Sequence, residues 1–144
     1  MLFLPKILEE ILSHLQTIGG TPILVGGCVR DGFLGIPSKD FDIEIFGIDS
    51  FEIIEQSLRK FGSVKLVGKS FGVLTLKVDG YDFDFAMPRI EKKIGNTHQD
   101  FEIITNANLS FKEAAIRRDF TINAIGYNPF TKEYLDPFNG INDL

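Results

Sequence analysis

An α+β fold with some α/β character, a small mixed sheet of about five strands flanked by helices, is predicted by three observations. Segments of helical and of strand periodicity alternate along the chain. The strand segments are short and bounded by Gly, Pro or Asp. A glycine pair, Gly26-Gly27, joins a buried strand directly to a short helix. At 144 residues and 44% hydrophobic content, the chain is expected to fold as one domain over residues 1–144 with a core of its own.

The elements follow in order. Leu4, Ile7, Leu8, Ile11, Leu12, Leu15 and Ile18 recur at helical spacing, and Gly19-Gly20 ends that helix. Pro22 to Val25 is the first strand, and Val29 to Leu34 a helix facing the glycine turn. Phe41 to Phe46 is the second strand; Ser50 caps a helix through Leu58, which Gly62 stops. Val64 to Val67, Gly72 to Val78 and Tyr81 to Ala86 complete the five strands, with Asp79-Gly80 as a hairpin turn. From Pro88 to Asn108 no period holds, which predicts a mobile active-site loop. Ser110 and Glu113 form a capping-box pair at the start of another helix. No clear final element precedes Leu144, and the abrupt end predicts a fragment of something longer.

Composition narrows the function classes. A net charge of -5 argues against the broad basic surface that gives a domain its own affinity for nucleic acid. One cysteine, Cys28, excludes an internal disulfide and, with no charged-then-apolar leader, points to a reducing cytoplasm. No apolar run approaches the roughly 18 residues of a membrane span. Two histidines and one cysteine make a zinc site improbable; His14 lies on the polar side of its helix, and His98 is expected in solvent.

The chemistry concentrates between residues 26 and 42. Strand alternation puts Asp40 and Asp42 on one face, where two carboxylates suit hard cations such as Mg²⁺ in a two-metal arrangement with ions about 3.5–4 Å apart. Gly26 and Gly27 let the backbone approach phosphates, and Arg30 can neutralise them. Asp31 is better explained as a local salt-bridge partner or helix-turn acceptor than as a metal ligand, and Glu44, on the face of Asp40 and Asp42, would crowd the strand as a third ligand. Asp82 or Asp84 could supply that third carboxylate; the alternative is a solvated acidic face of an ordinary amphipathic strand. Arg117 and Arg118 could meet phosphate while Asp119 and Asn123 meet sugar hydroxyls, or they could form a solvated patch and a helix cap. Gly68-Lys69-Ser70 lacks the glycine spacing of a P-loop.

Five segments in order, Leu24 to Asp31, Lys39 to Asp42, Arg89 to Lys93, Arg117 to Ala124 and Asp136 to Gly140, resemble the catalytic head of the class II tRNA nucleotidyltransferase and poly(A) polymerase family, within the polymerase-beta-like nucleotidyltransferases. The resemblance covers most of the chain. It implies a five-stranded head in which Asp40 and Asp42 bind two Mg²⁺ ions, Asp84 is the third carboxylate, and Gly26, Gly27 and Arg30 contact a triphosphate. Arg117, Arg118, Asp119 and Asn123 fall in its nucleotide- and ribose-recognition motif, and the segment after Arg89 in its mobile loop.

The implied reaction is template-independent transfer from CTP or ATP to an RNA 3′ end, above all CCA addition to tRNA. Poly(A) synthesis and A-only or CC-only addition are the near alternatives. A nucleotide-binding regulatory module and a small-molecule nucleotidyltransferase are the distant ones. The neck motif that reads the base edge in this family, and the helical neck, body and tail domains that hold tRNA, have no counterpart in these 144 residues. Weak nucleotide binding and poor addition are therefore expected of the chain alone.

Overall fold

The computed structural model describes residues 2–66, 73–93, 101–105, 107–115 and 124–143. Four helices occur among them: α1 (Lys6–Thr17), α2 (Gly27–Phe33), α3 (Phe51–Arg59) and α4 (Phe111–Ala115). The strands are β1 (Thr21–Val25), β2 (Asp40–Phe46), β3 (Ser63–Leu66), β4 (Val73–Val78), β5 (Tyr81–Ala86), β6 (Arg89–Lys93), β7 (Phe101–Thr105), β8 (Gly126–Asn128) and β9 (Glu133–Leu135). A short 3-10 helix (Gly140–Asp143) follows.

Seven strands form one mixed sheet in the order β3-β4-β5-β2-β1-β8-β9. All its ladders are antiparallel except β2–β5, which is parallel and is reached through α3, β3 and β4. The predicted α+β class holds, with more strands than the five expected. The two additional strands, β8 and β9, have three residues each, too few to display a period. Asn128 organises their turn, its Oδ1 accepting from the Phe130 and Thr131 N–H groups at 2.9 and 3.2 Å.

One face of the sheet carries the core. Phe41, Ile43 and Ile45 of β2 alternate inward beside Phe83 and Phe85 of β5 and Leu74 and Leu76 of β4, all buried. Leu8, Ile11, Leu12 and Leu15 of α1, one stripe at helical spacing, cover them together with Ile54 and Leu58 of α3. Each such side chain contributes about 1.5–3 kcal/mol by leaving water. The caps match the sequence: the Ser50 hydroxyl accepts from Ile53 N–H, and Ser110 and Glu113 exchange reciprocal bonds of 3.1 Å. Those bonds hold the Glu113 carboxyl below its ordinary range.

The expectation of an aperiodic stretch from Pro88 to Asn108 is corrected. β6 and β7 pair antiparallel there, Arg89 opposite Thr105 through Lys93 opposite Phe101, as a ribbon separate from the main sheet. A ribbon outside the sheet need not bury one face against that sheet's core, so alternation is not imposed on it. Residues 94–100 lie outside the described set, as does the sequence-based inference of mobility there. The expectation of no final element is also corrected. The Asp136 carboxylate accepts from the Gly140 and Ile141 N–H groups at 2.6 and 3.0 Å and caps the closing 3-10 helix.

Candidate active site

Antiparallel pairing of β1 with β2 sets Val25 opposite Asp42, so the chain leaving β1 turns over the second aspartate. Gly26 makes that turn at φ 75°, ψ -150°, a conformation essentially confined to glycine. A Cβ placed on Gly26 would lie 3.1 Å from Asp42 Oδ2. Gly27 then opens α2 two residues earlier than the apolar pattern predicts, and the Arg30 guanidinium folds back so that a Cβ on Gly27 would lie 3.3 Å from Nη2. Arg30 Nε also donates to Asp31 Oδ1 at 3.1 Å, the local ion pair expected of Asp31.

Asp40 and Asp42 are both exposed and share the face opposite Phe41 and Ile43. The parallel ladder sets Asp82 beside Asp40 and Asp84 beside Asp42. Four carboxylates thus occupy two adjacent rungs, with strands about 4.8 Å apart. The exposed, hard oxygens of Asp40 and Asp42 are suitable donors for a divalent metal. Asp84 is anchored: its Oδ1 accepts the Thr75 hydroxyl of β4 at 2.6 Å. Among the described residues no three acidic, histidine or cysteine side chains converge as a ready ligand set. Glu44, the next residue on this face, is buried at 1% exposure, deeper in the sheet than the two aspartates.

Thr75 was not singled out by the sequence, although the signal existed. Asp79 and Gly80 both have positive φ, 54° and 81°, in a two-residue hairpin turn that pairs Val78 with Tyr81. Counting back from that turn places Thr75 opposite Asp84. Arg117, Arg118, Asp119 and Asn123 lie outside the described residues.

Cys28, in the first turn of α2, is buried, and its thiol donates to the Val25 carbonyl at 3.2 Å. Burial pushes its pKa from 9.0 up to about 11; the Asp42 backbone opposes that shift and the Asp42 charge adds to it. Because the folded pKa is raised, the thiol leaves stability unchanged below pH 9 and destabilises the fold as pH rises from 9 to about 11, by on the order of 3 kcal/mol. Iodoacetamide at pH 8 should therefore label Cys28 in the native chain far more slowly than in urea, with the native rate rising only towards pH 11. Equal rates at pH 8 would contradict the buried, protonated thiol.

The sequence pattern of the poly(A) polymerase head domain matches residues 23–144, which include the glycine turn and both strands of the acidic strip. The chain belongs to the poly(A) polymerase head-domain family. Over 121 residues this head is 38% identical to the Multifunctional CCA protein of Xanthomonas oryzae pv. oryzae, covering 84% of the chain and 28% of that relative. It is similar in structure to a Bacillus stearothermophilus CCA-adding enzyme in complex with CTP, with a TM-score of 0.70 and 25% identity over 96% of this chain and 32% of that one. It is likewise similar to a tRNA nucleotidyltransferase complexed with a primer tRNA and an incoming ATP analog, with a TM-score of 0.69 and 28% identity over 92% of this chain and 36% of that one. The head thus spans 28–36% of the length of these proteins. Among the described residues no helix is long and apolar enough to cross a membrane.

Proposed function

We propose that this head carries out the nucleotidyl-transfer chemistry of a CCA-adding enzyme, adding C and A residues from CTP and ATP to the 3′ end of tRNA. The observation that carries the proposal is the Gly26 turn seated on Asp42, which couples a surface open to phosphate to a carboxylate strip suited to a cation. The relatives support the substrates: one is named for CCA, one structure holds CTP, and another holds a primer tRNA with an ATP analog.

Asp40 and Asp42 would hold Mg²⁺, two ions in the full reaction, which when bound supplies charge neutralisation and lowers the pKa of the attacking hydroxyl. Asp84, fixed by Thr75 beside Asp42, is the third carboxylate and orients the acidic strip. Gly26 and Gly27 leave no side chain between the backbone and the triphosphate, and Arg30 sets its guanidinium against the phosphate charge. Arg117 and Arg118 serve phosphate, and Asp119 and Asn123 the ribose hydroxyls. The substrate's terminal hydroxyl attacks the α-phosphate and pyrophosphate leaves, so catalysis here is positioning and electrostatics.

Calorimetric titration of the chain with ATP and with CTP, each with and without Mg²⁺, tests the assignment. Saturable binding that needs Mg²⁺, of similar strength for both nucleotides, is the expected result. Binding indifferent to Mg²⁺, or none under any condition, would overturn it.

A further inference from the structure

A concavity of about 640 Å³ opens at the end of the sheet where β2 begins. It is walled by Phe3, Ile36 and Tyr81, and Ser38, Lys39 and Asp79 bring polar groups to it. Its size falls in the range of small-ligand sites. Phe3 is 85% exposed and Ile36 50%, a large apolar display for side chains that could have packed inward. Among the described residues, the side-chain polar atoms of Ser38, Lys39, Asp79 and Tyr81 make no hydrogen bond or ion pair. Lys39 is the residue before Asp40, and its carbonyl accepts from Asp82 N–H, which fixes this rim to both acidic strands.

Aromatic walls, one ammonium and one carboxylate define a particular chemistry. Phe3 is exposed, and half-buried Tyr81 stacks on Phe83 with ring centroids 5.7 Å apart, which leaves its other face for a heteroaromatic base, a stacking partner whatever the sequence. An ammonium meets a phosphate as a point charge. A carboxylate accepts from an exocyclic amine, which cytosine and adenine carry and uracil lacks. Resting on the nucleotidyl-transfer assignment, we propose that this cavity holds an unpaired amino-bearing nucleotide of the RNA strand, a few residues upstream of the hydroxyl presented at Asp40 and Asp42. The base lies between Phe3 and Tyr81, its amine faces Asp79, and its phosphate meets Lys39. A strand fits better than a free nucleotide because the cavity, lined by Phe41 and Tyr81 of the core face, and the acidic strip on the opposite face both reach the start of β2, so one chain turning around Lys39 passes from one to the other.

The test is NMR titration of the isotope-labelled chain with the dinucleotides CpC and UpU, with CMP, and separately with ATP and Mg²⁺. CpC should move the Phe3, Ile36 and Tyr81 signals saturably, and bind several-fold more tightly than UpU or CMP. Phe3→Ala and Lys39→Ala, at exposed positions that leave the core untouched, should each weaken CpC about tenfold, and Asp79→Asn should abolish the preference over UpU. Unmoved cavity signals, or equal binding of CpC and UpU, would overturn the proposal. Equal binding of CMP would make the cavity a mononucleotide site instead. Shifts of the same signals with protein concentration alone would assign it to a second copy of the chain. Mg²⁺-ATP reports on the Gly26 and Gly27 amides independently: if they move while the cavity does not, the cavity proposal alone fails, and if they do not move, the nucleotidyl-transfer assignment fails.

Discussion

Replacing Asp40 and Asp42 together by alanine is expected to abolish Mg²⁺-dependent binding of ATP and CTP while leaving the chain folded. Both side chains are exposed and lie on the face away from the core, so their removal creates no cavity. Melting should therefore stay within a few degrees of the parent chain. Binding should fall by about a hundredfold or more, the scale of roughly 3 kcal/mol for removing one partner of a close charge contact. Calorimetry with Mg²⁺ and thermal melting on the same sample separate the two effects. A variant that melts much lower would make the aspartates structural, and one that still needs Mg²⁺ for binding would move the metal elsewhere.

The acidic strip was partly legible in the sequence, and the limits have physical causes. Alternation alone placed Asp40 with Asp42 and Asp82 with Asp84, because a strand has period two wherever it lies. The strand beside which each pair sits was not legible. The β2–β5 ladder joins strands separated by α3, β3 and β4, and nothing local fixes the register of so long a crossover. The β4–β5 register was there to be read, since Asp79-Gly80 is a turn whose length dictates the pairing. Thr75 against Asp84 follows from it.

The same distinction explains the fold. α1, α3 and the strands β1, β2, β4 and β5 bury a face in the core, and burial writes a period into the sequence. β6 and β7 pair with each other outside that sheet, and β8 and β9 are too short, so neither pair carries such a period. The Asp136 to Gly140 segment contributed to the family resemblance. In the structure its aspartate caps a 3-10 helix, a role visible only once the backbone turns back on the carboxylate.

Gly26→Ala should damage both the fold and the site, and a second glycine separates the two effects. At φ 75° and ψ -150° a side chain costs about 1–3 kcal/mol in the backbone alone. The added methyl would also stand 3.1 Å from Asp42 Oδ2, closer than an ordinary van der Waals contact, so the carboxylate or the turn must shift. Gly35 has nearly the same φ, 78°, but a Cβ there would meet nothing within 4 Å. Gly35→Ala therefore carries backbone strain without touching the carboxylate. Both variants should melt several degrees lower than the parent chain. Only Gly26→Ala should also lose Mg²⁺-dependent triphosphate binding, because only there does the new atom fall between the phosphate turn and the acidic strand. If both variants bind as the parent does, the turn is not the phosphate surface; if both lose binding equally, the loss reflects stability and not the seat of Gly26 on Asp42.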